Sequence, residues 1–112
     1  MDNYFKTTKN NFMVPHSVWE DPKFQNLSSS CKFLYITLCK IANRNADDEG
    51  WFYHSISQLS DKSKMHRRTV ISAKKKLKDV AFIDIRRGYM KHTKIRSYDY
   101  FRLNGFKFRG DK

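Results

Sequence analysis

Residues 55–79 read SISQLSDKSKMHRRTVISAKKKLKD, and the fold turns on how this stretch divides. Ser55 is a residue type that caps helices, and a short helix through Gln58 and Leu59 is expected to end near Asp61. Lys62 to Lys64 then form a turn. A second helix starts between Ser63 and Arg67 and runs to about Asp79. Within it Val70, Ala73 and Leu77 recur at helical spacing, so they share one stripe that faces a core. The opposite face then carries Arg68, Ile71, Ser72 and Lys75, with Arg67 on its flank.

Working outward, the upstream chain supplies a longer helix. Leu27-Ser28-Ser29-Ser30 offers N-caps, and Cys31 to Arg44 is apolar around most of its circumference. The polar strip is narrow, around Lys32, Lys40 and Asn43, with Phe33 and Ile36 at its margin. Before it, Phe12-Met13-Val14 reads as an edge strand stopped by Pro15, and His16 to Glu20 as one helical turn broken at Asp21-Pro22. Asn45 to Gly50 is a polar turn, and Trp51 to Tyr53 a short strand. Downstream, Phe82 to Arg87 alternates apolar and charged residues as a strand does. Gly88 to Arg96 is a basic loop and Ser97 to Leu103 the returning strand, whose Tyr98 and Tyr100 are expected to pack on the long helix. Stacking of single-stranded bases is the other role strand tyrosines can take. Residues 1–10 read as a flexible arm, 11–104 as one α+β domain, and 105–112 as a basic tail that stops without a closing element, as in a piece of a longer protein.

Composition narrows the function classes. The chain has 112 residues, 39% apolar and 15% aromatic, enough for one packed domain. Its formal charge is +12. Between Lys62 and Arg96 stand thirteen basic residues against Asp79 and Asp84, so that segment holds nearly all of the excess. A charge gathered into a third of a small domain is the footprint of a polyanion partner. Neither a signal peptide nor an apolar run near ~18 residues is present, so a cytoplasmic protein with no membrane partner is expected. Cys31 and Cys39 lie eight positions apart on one helix, roughly 12 Å, too far for a disulfide, and read as small buried hydrophobes. The four histidines show no metal spacing, and no paired carboxylates, nucleophile–His pair or phosphate loop appears, so neither an enzyme nor a cofactor is expected. Trp19, Trp51 and the phenylalanines are assigned to the core.

The order helix, short strand, short helix, turn, basic helix, hairpin resembles a winged helix-turn-helix domain. More narrowly, it is similar to the N-terminal domains of plasmid and phage replication initiators. The resemblance rests on FMVP at Phe12–Pro15, LSSSCKFLYITL at Leu27–Leu38, ISQL at Ile56–Leu59, RRTV at Arg67–Val70 and KKL at Lys75–Leu77. It implies a three-helix core with a C-terminal β-hairpin wing. Three positions depart from the pattern. His66 replaces the usual Ser or Thr cap before RRT, leaving Ser63 as another candidate. Ala81 replaces a glycine between helix and wing, and Lys74 an apolar residue.

Such a domain is expected to bind double-stranded DNA. Lys64, His66, Arg67, Arg68, Thr69, Ile71, Ser72, Lys75 and Lys78 would lie on the recognition helix or its entry, and Arg86, Arg87, Lys91, Lys94 and Arg96 on the wing. A helix fits the major groove; Arg68 suits guanine, Ile71 a thymine methyl, and Ser72 several bases. Lys74, Lys75, Lys76 and Lys78 suit phosphates. If some six to ten phosphates are neutralised, affinity falls about 10³–10⁵-fold between 50 and 200 mM salt. Three roles fit: origin-repeat recognition in a replication initiator, a stand-alone transcriptional regulator, or a protein-interaction winged helix with an acidic partner. Phe33 and Ile36 suggest a homodimer interface, which would set two recognition helices about one DNA turn, ~34 Å, apart. Further replication or transcription proteins are the remaining expected partners.

Overall fold

The computed structural model describes residues 12–89 and 96–104. The elements run α1 (His16–Trp19), α2 (Pro22–Gln25), α3 (Ser29–Asn45), β1 (Phe52–His54), α4 (Ile56–Ser63), α5 (Arg67–Asp79), β2 (Ile83–Tyr89) and β3 (Arg96–Leu103). The three strands form one antiparallel sheet in the order β1-β3-β2. This is the winged helix-turn-helix arrangement that the order of elements implies. The arm 1–10, the tail 105–112 and the wing positions Lys91 and Lys94 lie outside the described residues.

Local chemistry accounts for the boundaries. Ser28 caps α3 by accepting from the Cys31 amide at 3.3 Å. Ser55 and Gln58 close a reciprocal capping box on α4, satisfying two amides that a helix start leaves without partners. In the turn before β1, Asp47 accepts from the amides of Glu49 and Trp51, and Gly50 sits at φ 92°, a left-handed conformation that costs glycine nothing.

Several expectations at the N-terminal side are corrected. Phe12 to Val14 is irregular chain rather than a strand; Met13 and Val14 pack against the core instead of joining a ladder. Asp21-Pro22 begins a helix as well as ending one. The Asp21 carboxylate accepts from the Lys23 amide, and Pro22 occupies the first turn, where a missing N–H costs nothing. That short helix delivers Phe24, fully buried, into an edge-on aromatic cluster with Tyr35 at 5.4 Å and Phe82 at 5.5 Å. The rest of the core comes from Leu34 and Leu38 on α3, Leu59 on α4, Val70 and Leu77 on α5, and Ile83, Phe101 and Leu103 on the sheet. Cys31 and Cys39 are free thiols within it, and burial pushes the Cys39 thiol well above the usual range.

Not every aromatic residue is core. Trp19 is 47% exposed, one ring edge resting near Phe24. Trp51 is half-buried beneath arginines of the sheet. Phe33 stands in solvent on α3.

Candidate nucleic-acid interface

The centre of the site is the α4–α5 pair and the three residues that join it. Helix α4 extends through Lys62 to Ser63, two residues beyond the expected end near Asp61, so the turn shrinks to Lys64, Met65 and His66. Lys64 takes a left-handed backbone (φ 60°, ψ 26°) that reverses the chain. Ser60 donates to the Met65 carbonyl at 2.6 Å, and Ser63 accepts from the Met65 amide at 3.3 Å, which pins both polar groups of the turn. Met65 itself packs against the core.

His66 is the cap of α5. Its Nδ1 accepts from the Arg68 amide at 3.2 Å, the bond a Ser or Thr hydroxyl makes in that position. Ser63 does not cap α5, because it is still the last residue of the preceding helix. An imidazole that caps through a lone pair must keep that nitrogen unprotonated.

Along α5 the two faces separate as the spacing predicts. Val70, Ala73 and Leu77 are buried. Arg67, Arg68, Ile71, Ser72, Lys75, Lys76 and Lys78 are exposed, and Thr69 is half-buried. Ile71 is 49% exposed, a large apolar side chain on an otherwise polar, cationic surface. Arg67 donates to the Ser57 hydroxyl at 2.7 Å and so bridges α5 to α4. The outward strip therefore combines donors, a methyl-bearing side chain and cations, all on one rigid element.

Lys74 is a correction. Its ammonium donates to the Asp99 carboxylate of β3 at 2.7 Å, with the two side chains only 16% and 9% exposed. A lysine held in a shielded ion pair is not offered to phosphate. It ties α5 to the central strand of the wing sheet instead. This also explains a cation at a position otherwise apolar.

Arg86 is exposed, but its guanidinium lies over the Trp51 ring at 4.5 Å and over Tyr100 at 5.3 Å. Tyr100 meets Tyr53 across the β1–β3 pair at 5.3 Å rather than packing on α3. Arg87 and Arg96 belong to the strands, with the ladder shifted between Arg87 and Tyr89; their side chains, like that of Tyr98, lie outside the described residues. On the inner side His54 is buried, bonded to the Tyr53 carbonyl through Nδ1 at 2.5 Å. Burial lowers its pKa, the hydrogen bond to the Tyr53 carbonyl opposes this in part, and nearby Lys62 adds to the lowering.

The α4–turn–α5 unit lies inside a stretch, residues 25–83, that matches a family profile described as "Helix-turn-helix domain". The chain belongs to the helix-turn-helix domain family. Solved structures of similar fold include one described as "Structure of Rep-DNA complex", at TM-score 0.64 and 17% identity over 85% of this chain and 75% of that one. A second, "N-Terminal domain of DNA binding protein", has TM-score 0.66 and 17% identity over 98% and 88%. A third, "Structure of MDR initiator", has TM-score 0.61 and 20% identity over 92% and 84%. At these identities the likeness is one of fold. A search of curated protein sequences gives no match.

Within this helix-turn-helix domain, a second surface lies on the exposed side of α3. Phe33 is 49% exposed and Ile36 half-buried, and both line a groove with Phe12, Lys40, Arg44 and Lys62. Sequence reasoning missed two features. One is Asp99 as the partner of Lys74. The other is the outward stack of Trp51, Tyr53, Tyr100 and Arg86. The alternation in Trp51-Phe52-Tyr53-His54 carried a signal for the second, since it sets Tyr53 opposite in face to the buried Phe52.

Proposed function

We propose that this domain binds double-stranded DNA sequence-specifically, with α5 in the major groove and the β2–β3 wing on the backbone or minor groove. The observation that carries this is the outward face of α5. Arg68, Ile71, Ser72 and Lys75 are exposed together while Val70, Ala73 and Leu77 hold the helix to the core. A helix so mounted presents base-reading groups to a groove that admits it. Lys64, His66, Arg67 and Thr69 stand at its entry, and Lys75, Lys76 and Lys78 are placed for phosphates that set register. Arg86, Arg87, Lys91, Lys94 and Arg96 supply the wing's charge.

The role that fits best is origin-repeat recognition as the DNA-binding domain of a replication initiator, in the cytoplasm. Its support is the first-helix and RRTV pattern together with the fold shared with the Rep–DNA complex and the MDR initiator. A homodimer through Phe33 and Ile36 belongs to the same proposal, Phe33 being an exposed large apolar residue next to a groove.

Selection from a random duplex library tests both levels. The expected result is one enriched motif, altered at defined positions by an Arg68→Ala, Ser72→Ala variant. Tandem copies bound in register fit an initiator. A single palindrome with half-sites one turn apart fits a dimeric transcriptional regulator instead. No enrichment and no binding at low salt would overturn the duplex reading and favour an acidic protein partner.

A further inference from the structure

Beyond duplex binding by α5, the sheet carries a second surface of different chemistry. Its inner face is core: Phe52, His54, Phe101, Ile83 and Leu103 are buried. Its outer face, turned away from that core, bears aromatic rings and guanidinium groups. The register sets Tyr53, Tyr100 and Arg86 side by side, one on each of the three strands. Tyr53 is 51% exposed and touches Tyr100 edge-on, with ring centres 5.3 Å apart. The Arg86 guanidinium rests on Trp51 and Tyr100, at 4.5 and 5.3 Å, and Arg102 lies 6.0 Å from Trp51. Arg86 itself is exposed.

Tyr53 is exposed and Trp51 and Tyr100 are half-buried, so the rings form one partly open aromatic cluster with Arg86 on the outer side of the sheet. Flat π-faces and guanidinium planes are what unpaired nucleobases stack on, while duplex DNA hides those faces inside its own stack. The cations answer the phosphates between stacked bases. Two acidic features bound the surface: Asp84 sits opposite Arg102, and Asp47, Asp48 and Glu49 lie in the turn beside Trp51. They leave the Tyr53–Tyr100–Arg86 row as the path open to a polyanion.

We propose that the outer face of the sheet is a binding site for single-stranded DNA, in which bases stack on Tyr53 and on the Arg86 plane held by Trp51 and Tyr100. The site is separate from the outward face of α5. It shares Arg86 with the wing, so a protein that engages a duplex through α5 can thereby hold a displaced strand on Tyr53 and its neighbours.

Fluorescence anisotropy tests this with three ligands: an oligonucleotide of about 12 thymidines, an abasic oligomer with the same number of phosphates, and a duplex. Wild type and Tyr53→Phe should bind the thymidine oligomer more tightly than the abasic one. Tyr53→Ala should lose about 5- to 150-fold on the thymidine oligomer, the range of one base–aromatic stack, with abasic and duplex binding unchanged. Thermal unfolding like that of wild type checks that the variant is folded. Equal wild-type affinity for thymidine and abasic oligomers would overturn the proposal. So would a Tyr53→Ala loss that is absent, or equal on all three ligands. Failure of duplex binding alone, with the Tyr53-dependent preference intact, would sink the α5 reading and leave this one standing.

Discussion

Lys74 and Asp99 show how one contact reassigns a residue. Among four lysines on a short helix, nothing in composition separates the phosphate-facing ones from the structural one. The separation comes from β3, twenty-five positions away, which places a shielded carboxylate 2.7 Å from the Lys74 ammonium. Removing one member of such a pair leaves an uncompensated charge in a poorly hydrated place, which is worse than removing both. Asp99→Ala is therefore expected to cost about 3 kcal/mol of stability, and Lys74→Met with Asp99→Val to recover most of it. Chemical denaturation of the three proteins checks this. Equal stability of single and double variants would show that the pair is not shielded. The exposed Lys75, in contrast, could be placed from spacing alone, because Val70, Ala73 and Leu77 fix which side of α5 is buried. The same logic failed for Trp51 and Tyr100, whose side of the sheet depends on strand register rather than on the residues themselves.

The helices were legible where capping chemistry is local. Ser28, and the reciprocal Ser55–Gln58 box, mark helix starts within a few residues. The start of α5 fell within the expected span, but its unusual cap, His66, left Ser63 open as an alternative, and the helix that Pro22 opens was missed. The end of α5 is instructive. The Ala81 amide donates to the Lys78 carbonyl and the Phe82 amide to the Leu77 carbonyl, both at 3.0 Å, the paired bonds of a Schellman motif. That motif needs a left-handed residue after the cap, and here Ala81 supplies it at φ 65°. A Cβ in that conformation costs roughly 1–2 kcal/mol, which glycine avoids at some entropic cost to the folded chain. Ala81→Gly should thus stabilise the domain by about 1 kcal/mol and raise the melting temperature by about 4 °C, read by calorimetry. The Asn104 side-chain amide also donates to the Ala81 carbonyl at 2.6 Å, so the turn is held from the far end of β3 as well. A lower melting temperature for the glycine variant would mean that these contacts, and not the helix end, set the conformation.

Taken together, the domain is a cationic helix-turn-helix body with chemically distinct outer surfaces. The α5 face offers Arg68, Ile71, Ser72 and Lys75; the sheet offers stacked rings and guanidinium groups; the side of α3 offers Phe33 beside a groove with a basic rim. Charge clustering, element order and helical spacing pointed to the first and to Phe33 on α3 from sequence, because these are one-dimensional signals. The sheet surface depends on which residues the fold brings together, so it needed coordinates. All three surfaces would feel the net charge of +12, and any DNA would bind at low salt. Reading of sequence must therefore be separated from charge. The most direct test is anisotropy on the selected duplex and on a scrambled duplex of equal length, for wild type, Arg68→Ala and Lys75→Ala across a salt series. Recognition by α5 predicts that Arg68→Ala loses about 5- to 150-fold on the selected duplex and little on the scrambled one. Lys75→Ala should weaken both alike and reduce the salt slope by about 1. Equal losses of Arg68→Ala on both duplexes, or none on either, would contradict sequence reading by α5.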